Sequence, residues 1–334
     1  MALGLGIMTL SALFFSLQSF FVSYGGRRLL LPSALLILAR SVGQSILALG
    51  LAKCLDASVL GPREVRGWLV LRGSLGALGL AGFFYSLTHL PLADATVVFF
   101  TGPAFTSIFA HLILAEPFST LDKVAAAICL FGVTLVAKPS FLFPSPSSSL
   151  PEDQPILSDA EEWNRLLAVA GALFGAILAA LAYTTVRKVG SRAHFLAHTF
   201  YFGIASSIIS LALLFLFPSS PSSPSSSSPL LSPFLPLFDL KPIGWLLLAG
   251  IGFAAFLGQC CLNRGLQLAP AGPGSLMRNL DVVFAYLFGL GLLGDPVDLY
   301  GILGALLIIG TTISVGLYKW LRVIPSSPTR SRGA

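Results

Sequence analysis

Apolar runs of roughly twenty residues, separated by short polar punctuation, recur along almost the whole chain. At about 1.5 Å per residue, a helix of that length crosses the roughly 30 Å hydrocarbon core of a bilayer. The runs predict spanning helices over 1–24, 32–52, 68–87, 92–115, 121–136, 166–186, 195–217, 243–263, 272–293 and 300–320. The first is apolar from Met1, with no basic region ahead of a short apolar core. It is therefore read as a spanning helix and not as a cleaved signal peptide. Two stretches break the rhythm. Residues 140–163 turn to Ser and Pro and then to the acidic cluster Asp159, Glu161 and Glu162, and residues 218–236 are again Ser/Pro-rich. Such compositions cannot bury enough apolar surface to fold and are expected to be disordered spacers. None of Asn164, Asn263 and Asn279 opens a glycosylation sequon.

The runs repeat. Leu87, Pro91, Phe105, Leu114, Glu116 and Pro117 fall at one fixed offset, without a gap, on Leu266, Pro270, Phe284, Leu293, Asp295 and Pro296. The opening helices match too: Ala12, Leu13, Phe14, Arg27 and Arg28 fall on Ala172, Leu173, Phe174, Arg187 and Lys188. Five helices per half is an odd number, so the second half must enter the membrane from the opposite side. The expected fold is an all-α membrane protein of about ten transmembrane helices, built as two inverted five-helix repeats. The first repeat is expected over 1–139, the linker over 140–163, the second repeat over 164–322 with its insertion at 218–236, and a basic tail over 323–334.

Composition agrees with the pattern. The chain is 55% hydrophobic and 10% charged, against about 25% charged in soluble domains. Its net charge of +6 is of the kind cytoplasmic loops carry, and no basic run interleaved with aromatics points to nucleic acid. Cys54, Cys129, Cys260 and Cys261 have no metal-type or paired spacing and read as packing residues. No cofactor or metal is expected. With a cytoplasmic N-terminus, the cytoplasmic side holds Lys53, Arg63, Arg66, Lys123, Arg187, Lys188, Arg192, Arg264, Lys319, Arg322, Arg330 and Arg332, twelve in all. The other side holds five: Arg27, Arg28, Lys138, Arg165 and Lys241. That excess places both termini inside.

Charges within the runs point to a site, since each costs at least about 2.5 kcal/mol at the bilayer centre unless it is paired or faces water. Arg278 and Asp281 share one face of the ninth run at i, i+3 spacing and can pair. The alternatives are a structural ion pair, an Arg278 that meets an anionic solute, or an Asp281 that carries a coupling proton. Arg40 lies well inside the second run and is a candidate for cavity lining. Arg72 lies near the start of the third and is expected to snorkel to the cytoplasmic surface. Tyr85, Gln259, Asn263 and Asn279 add polar groups, with Gln18 and Gln44, each of which can equally be an interhelical hydrogen-bond partner. Gly102 and Pro103, preceded by Thr101, sit near the middle of the fourth run, where a proline either frees a backbone carbonyl toward a cavity or only kinks the helix for packing.

The stretch FFYSLTHLPLADATVVFFTGPAFTSIFAHLILAEPFS, Phe83 to Ser119, resembles the third-to-fourth-helix signature of EamA-type proteins of the drug/metabolite transporter superfamily. The specific elements are the Leu-Pro-Leu-Ala-Asp-Ala turn, the Gly102–Pro103 pair and the closing Glu116, and the likeness covers nearly the whole chain. Arg278, Asn279 and Asp281 depart from it, standing where the family is usually apolar or small. The resemblance implies ten helices, a central cavity between the halves and alternating-access transport of a small organic solute. Two other classes stand against that reading. His89 and Asp94 have a spacing resembling that of glycerolipid acyltransferases, although Pro91 lies between them and the second repeat has Gln267 and Gly272 there. A membrane adaptor or receptor that moves nothing is the other.

Overall fold

A computed structural model describes residues 2–29, 31, 33–89, 98–117, 119–137, 159–216, 234, 237, 240–288, 291 and 299–323. The first half contributes α1 (Ala2–Leu29), α2 (Ser33–Cys54), α3 (Arg66–His89), α4 (Gly102–Leu114) and α5 (Thr120–Ala137). The second contributes α6 (Asp159–Val189), α7 (Phe195–Leu216), α8 (Pro242–Leu268), α9 (Ala271–Leu276), α10 (Leu280–Phe288) and α11 (Leu299–Val323). A 3₁₀ turn, Met277–Asn279, joins α9 to α10, so these two helices form one interrupted ninth span. Among the described residues five stretches, in α1, α2, α6 with the turn after it, α7 and α8, are long and apolar enough to cross a bilayer on length and composition alone. Together the elements form an all-α membrane fold of two inverted five-helix repeats.

The packing shows the repeat in three dimensions. α1 lies on α8 as α6 lies on α3; α2 meets α7, and α5 meets α11; α3 on α7 is mirrored by α8 on α2; α4 on α6 is mirrored by α10 on α1. Exchanging the halves maps each contact onto its counterpart. The main contacts therefore run between the halves and interleave them.

Glycines make these contacts close. A methyl added at Gly175 of α6 would lie 2.7 Å from the Gly79 carbonyl oxygen of α3, and one at Gly82 would lie 2.8 Å from the Gly171 carbonyl. The repeat uses the same positions twice. Gly258 of α8 is the counterpart of Gly79 and receives the Phe15 ring of α1, at 3.0 Å from the added methyl. Gly73 and its counterpart Gly252 bring α3 onto Tyr201 of α7 and α8 onto Gly43 of α2. Lipid tails are as apolar as leucine, so helices in a bilayer gain little from burying apolar faces. Close backbone approach at small residues supplies the packing that hydrophobicity does not.

The structure departs from the predicted elements in three places. The fourth run does not continue as one helix: Val98 and Phe99 form a helical turn, the chain turns at Phe100 and Thr101, and α4 starts at Gly102 with Pro103 in its first turn. Proline has no N–H to continue a ladder and its fixed φ suits a helix start. The ninth run breaks at Met277–Asn279, the repeat counterparts of Val98–Phe100. Third, the acidic cluster is helical, because α6 begins at Asp159; carboxylates are favourable against the positive end of a helix dipole. Residues 138–158, most of 218–236 and the tail from 324 lie outside the described residues, and with them the rest of both spacer expectations.

α4 ends on Ala115 in the left-handed region, φ 53°, with the Glu116 N–H donating to the Ala110 carbonyl at 3.2 Å. A Cβ is unfavourable there by about 1–2 kcal/mol, and the repeat counterpart of Ala115 is Gly294. Ala115→Gly is expected to raise stability by about 1 kcal/mol. Thermal unfolding of the detergent-solubilised protein measures this, and a lowered midpoint would contradict it.

Candidate functional site

Three arginines lie in the interior where the two halves meet. Arg40 on α2 is 5% exposed and Arg72 on α3 is 1% exposed. Arg278 sits in the 3₁₀ break of the ninth span. Arg40 and Arg72 both lie over the Phe202 ring of α7, their guanidinium carbons 5.4 and 4.7 Å from its centroid. Arg278 lies 4.2 Å from the Phe15 ring centroid of α1. Arg40 is within electrostatic reach of both Arg72 and Arg278, and the Tyr183 side chain of α6 reaches Arg40 and Arg72.

Each arginine is only partly satisfied. Arg40 Nε donates to Gln18 Oε1 at 3.0 Å. Arg72 Nη2 donates to Gln259 Oε1 at 2.8 Å and to Asn263 Oδ1 at 2.9 Å. Asn263 in turn donates to the Thr199 hydroxyl at 3.0 Å, and Gln44 donates to the Thr199 carbonyl at 2.8 Å. Arg278 Nη2 donates to Asp281 Oδ2 at 3.0 Å, with both side chains 13% exposed. The Ser16 hydroxyl of α1 lies 2.7 Å from Asp281 Oδ1. Arg40 Nη1, Arg72 Nε and Nη1, and Arg278 Nη1 are buried with no hydrogen-bond partner among the described residues.

Arg72 corrects the sequence expectation. It does not snorkel: α3 starts at Arg66, which sets Arg72 nearly two turns deep, and its head meets α8. Gln259 and Asn263 are one turn apart on an apolar helix and so present two amide oxygens on one face. That spacing was the available signal for a buried cation across from α8. Ser16, Phe15, Phe202 and Tyr183 carried no comparable signal, since hydroxyls and aromatics are common in apolar helices.

The structure brings Arg40, Gln259, Asn263, Arg278 and Asp281 into this region, and it separates the other candidates. Asn279 meets Cys129 of α5. Tyr85 is 39% exposed and lies at the α3–α6 contact, where a methyl on Gly171 would come 3.2 Å from its ring. Thr101 lies in the break before α4, its hydroxyl donating to the Val98 carbonyl at 2.7 Å. Pro103 is buried beside it in the first turn of α4. Of the His89/Asp94 pair, Asp94 and the His89 side chain lie outside the described residues. A cavity of about 790 Å³ lies elsewhere, between α1, α2 and α8, lined by apolar residues such as Phe20, Ile46 and Phe253.

A second polar assembly closes one end of the α4–α9 contact. Glu116 Oε1 accepts from Arg187 Nε at 2.9 Å, and Glu116 Oε2 accepts from the Ala271 N–H, at the first turn of α9, at 2.8 Å. Arg187 Nη1 also donates to the Gln267 carbonyl at 2.9 Å. One carboxylate from the first half thereby ties α6, α8 and α9 of the second. Its repeat counterparts, Asp295 and the Arg27 side chain, lie outside what is described.

The EamA-like transporter family model matches residues 2–138 and 166–317. Human solute carrier family 35 member G1 is 30% identical over 322 residues, covering 95% of this chain and 80% of that protein. The pseudopaline exporter of Pseudomonas aeruginosa is 27% identical over 289 residues, 86% of this chain and 88% of that one. An uncharacterized membrane protein of Saccharomyces cerevisiae is 31% identical over 255 residues, 76% of this chain and 58% of that protein's length. One solved crystal structure superposes with a TM-score of 0.71 at 15% identity, covering 94% of this chain and 98% of the other, a likeness of fold.

Removing one member of a buried ion pair leaves an uncompensated charge and costs about 3–5 kcal/mol, whereas replacing both is often near neutral. Arg278→Met is therefore expected to destabilise the protein by about that amount, and Arg278→Met with Asp281→Leu to recover most of the loss. Chemical or thermal unfolding in detergent checks this; a double variant as unstable as the single would contradict it.

Proposed function

The chain belongs to the EamA-like transporter family, and from that premise we propose that it carries a small organic solute by alternating access through a site between its two halves. That it is an integral membrane transporter and not an enzyme follows from the family and from relatives named as transporters. The observation that carries the finer reading is the membership of the buried polar region. Arg40 and Arg72 come from the first half, and Gln259, Asn263, Arg278 and Asp281 from the second, so a solute held there touches both halves. Inverted halves can exchange conformations around a shared site and open it first to one side and then to the other. The paired breaks at Phe100–Thr101 and Met277–Asn279 support this reading, because interrupted helices free backbone groups beside a binding site.

The Glu116 clasp fits a closed end of the path. With both termini cytoplasmic, as the twelve-to-five excess of basic residues supports, the clasp lies on the cytoplasmic side, and opening toward the cytoplasm requires Glu116 to release Arg187 and the start of α9. Repeat symmetry would then place Asp295 in the same role at the other end.

Two measurements test this. Purified protein in proteoliposomes, screened with labelled metabolites, is expected to show uptake that accelerates when the vesicles are preloaded with the same unlabelled solute; uptake without that acceleration would overturn the alternating-access reading. Glu116→Gln is expected to raise deuterium exchange several-fold at the amides of Ala271, Gly272 and Gly274, with little change in α7. Unchanged exchange there would remove the clasp from the mechanism.

A further inference from the structure

We infer that Arg40, Arg72 and Arg278 act together as a receptor for a small organic dianion. The inference specifies the cargo of the transport reading above, but binding itself does not depend on transport. Charge count comes first. Among the described residues three guanidiniums meet one carboxylate here, Asp281, and that carboxylate is already held by Arg278 and Ser16. Two other described acids lie at helix ends: Glu116 is bound to Arg187, and Asp122 accepts from Ser119 at the start of α5. His198, buried on α7 and within reach of Arg72, brings no negative charge. Among the described residues the region therefore carries two positive charges in excess.

Geometry comes second. Two positive charges buried among apolar helices are unfavourable unless something balances them. The neutral amides of Gln18, Gln259 and Asn263 supply single oxygens but no charge. The shared Phe202 ring supports the guanidiniums of Arg40 and Arg72, and Phe15 supports that of Arg278. Aromatic support at a face leaves the in-plane N–H groups as the donors, and on each arginine at least one buried nitrogen has no partner among the described residues. Planar forks of this kind match carboxylate and phosphate oxygens. The members come from α2, α3 and the break of the ninth span, so a bound dianion draws together elements of both halves.

Binding to the purified full-length protein, read by calorimetry and by thermal shift, separates charge from shape with one carbon skeleton. Succinate carries two negative charges, its monoamide one and succinamide none. Affinity is expected to fall by about tenfold or more at each step, the effect of losing a charge-assisted contact. Glycerol 3-phosphate and inorganic phosphate form a second arm: tighter binding there than of succinate assigns the site to phosphorylated solutes, and weaker binding assigns it to dicarboxylates. Arg40→Gln lowers the excess charge to one and is expected to abolish the preference for succinate over its monoamide while the midpoint of unfolding stays close to wild type. Arg40→Lys is expected to keep the preference with weaker binding. Equal affinity across the succinate series, no binding of any dianion tested, or an Arg40→Gln protein that still prefers the dianion would overturn the inference. Dianion binding without uptake would sink the transport reading and leave the receptor standing; uptake of a neutral or cationic solute without dianion binding would do the reverse.

Discussion

Backbone contact at glycine is the constraint on which the rest of this molecule depends. In a bilayer the hydrophobic effect does not press one helix on another, so what holds the helices is how closely their backbones approach. Here close backbone approaches join the halves: Gly79 and Gly82 of α3 to Gly171 and Gly175 of α6, and Gly73 of α3 to Tyr201 of α7. The halves are thereby interleaved, and side chains flanking those glycines are delivered to the interface between them. Arg72 is one such side chain. It leaves α3 next to Gly73 and Gly76 and crosses to α8, where the amides of Gln259 and Asn263 receive it.

The same packing gives the interior its electrical character. Apolar walls make a charge costly, and the helices that bring Arg40, Arg72 and Arg278 together supply one carboxylate among them. A soluble protein of this size could leave such a surplus to water. Within a membrane the surplus is either a defect or a function, and its location at the meeting of the two halves favours function. Glu116 answers a related problem at the end of α4: it satisfies an N–H at the first turn of α9 and the charge of Arg187 together. Both assemblies cross between halves, so a change in the relation of the halves must alter both.

Two breaks at matching positions in the fourth and ninth spans link fold to site. Pro103 gives the first a physical cause, since it cannot donate to the ladder. The second, at Met277–Asn279, has no proline within it and coincides with the Arg278–Asp281 pair and the Ser16 contact to the Asp281 carbonyl at 2.6 Å. The Ser16 hydroxyl of α1 thus sits between the Asp281 carbonyl and carboxylate, directly after the interrupted ladder.

Sequence by itself determined the class, the repeat and the family. A twenty-residue apolar period survives any detail of packing, and a fixed offset between matching prolines, glycines and acids survives divergence elsewhere, so spans and inverted halves were legible without coordinates. The Arg278–Asp281 pair was legible for the same reason: i, i+3 spacing is local. Arg72 was not, because depth was judged from the start of an apolar run while the helix begins at Arg66, and because its partners stand far along the chain on α8. Asn279 and Tyr85 lie apart from the arginines, a separation the sequence does not carry, since polarity in an apolar run does not say which way a helix turns. The break in the ninth span and the Glu116 clasp were likewise invisible. Tertiary structure decided these, since each depends on contacts between residues of opposite halves, and one-dimensional periodicity records which face a residue occupies but not what the other half brings to it.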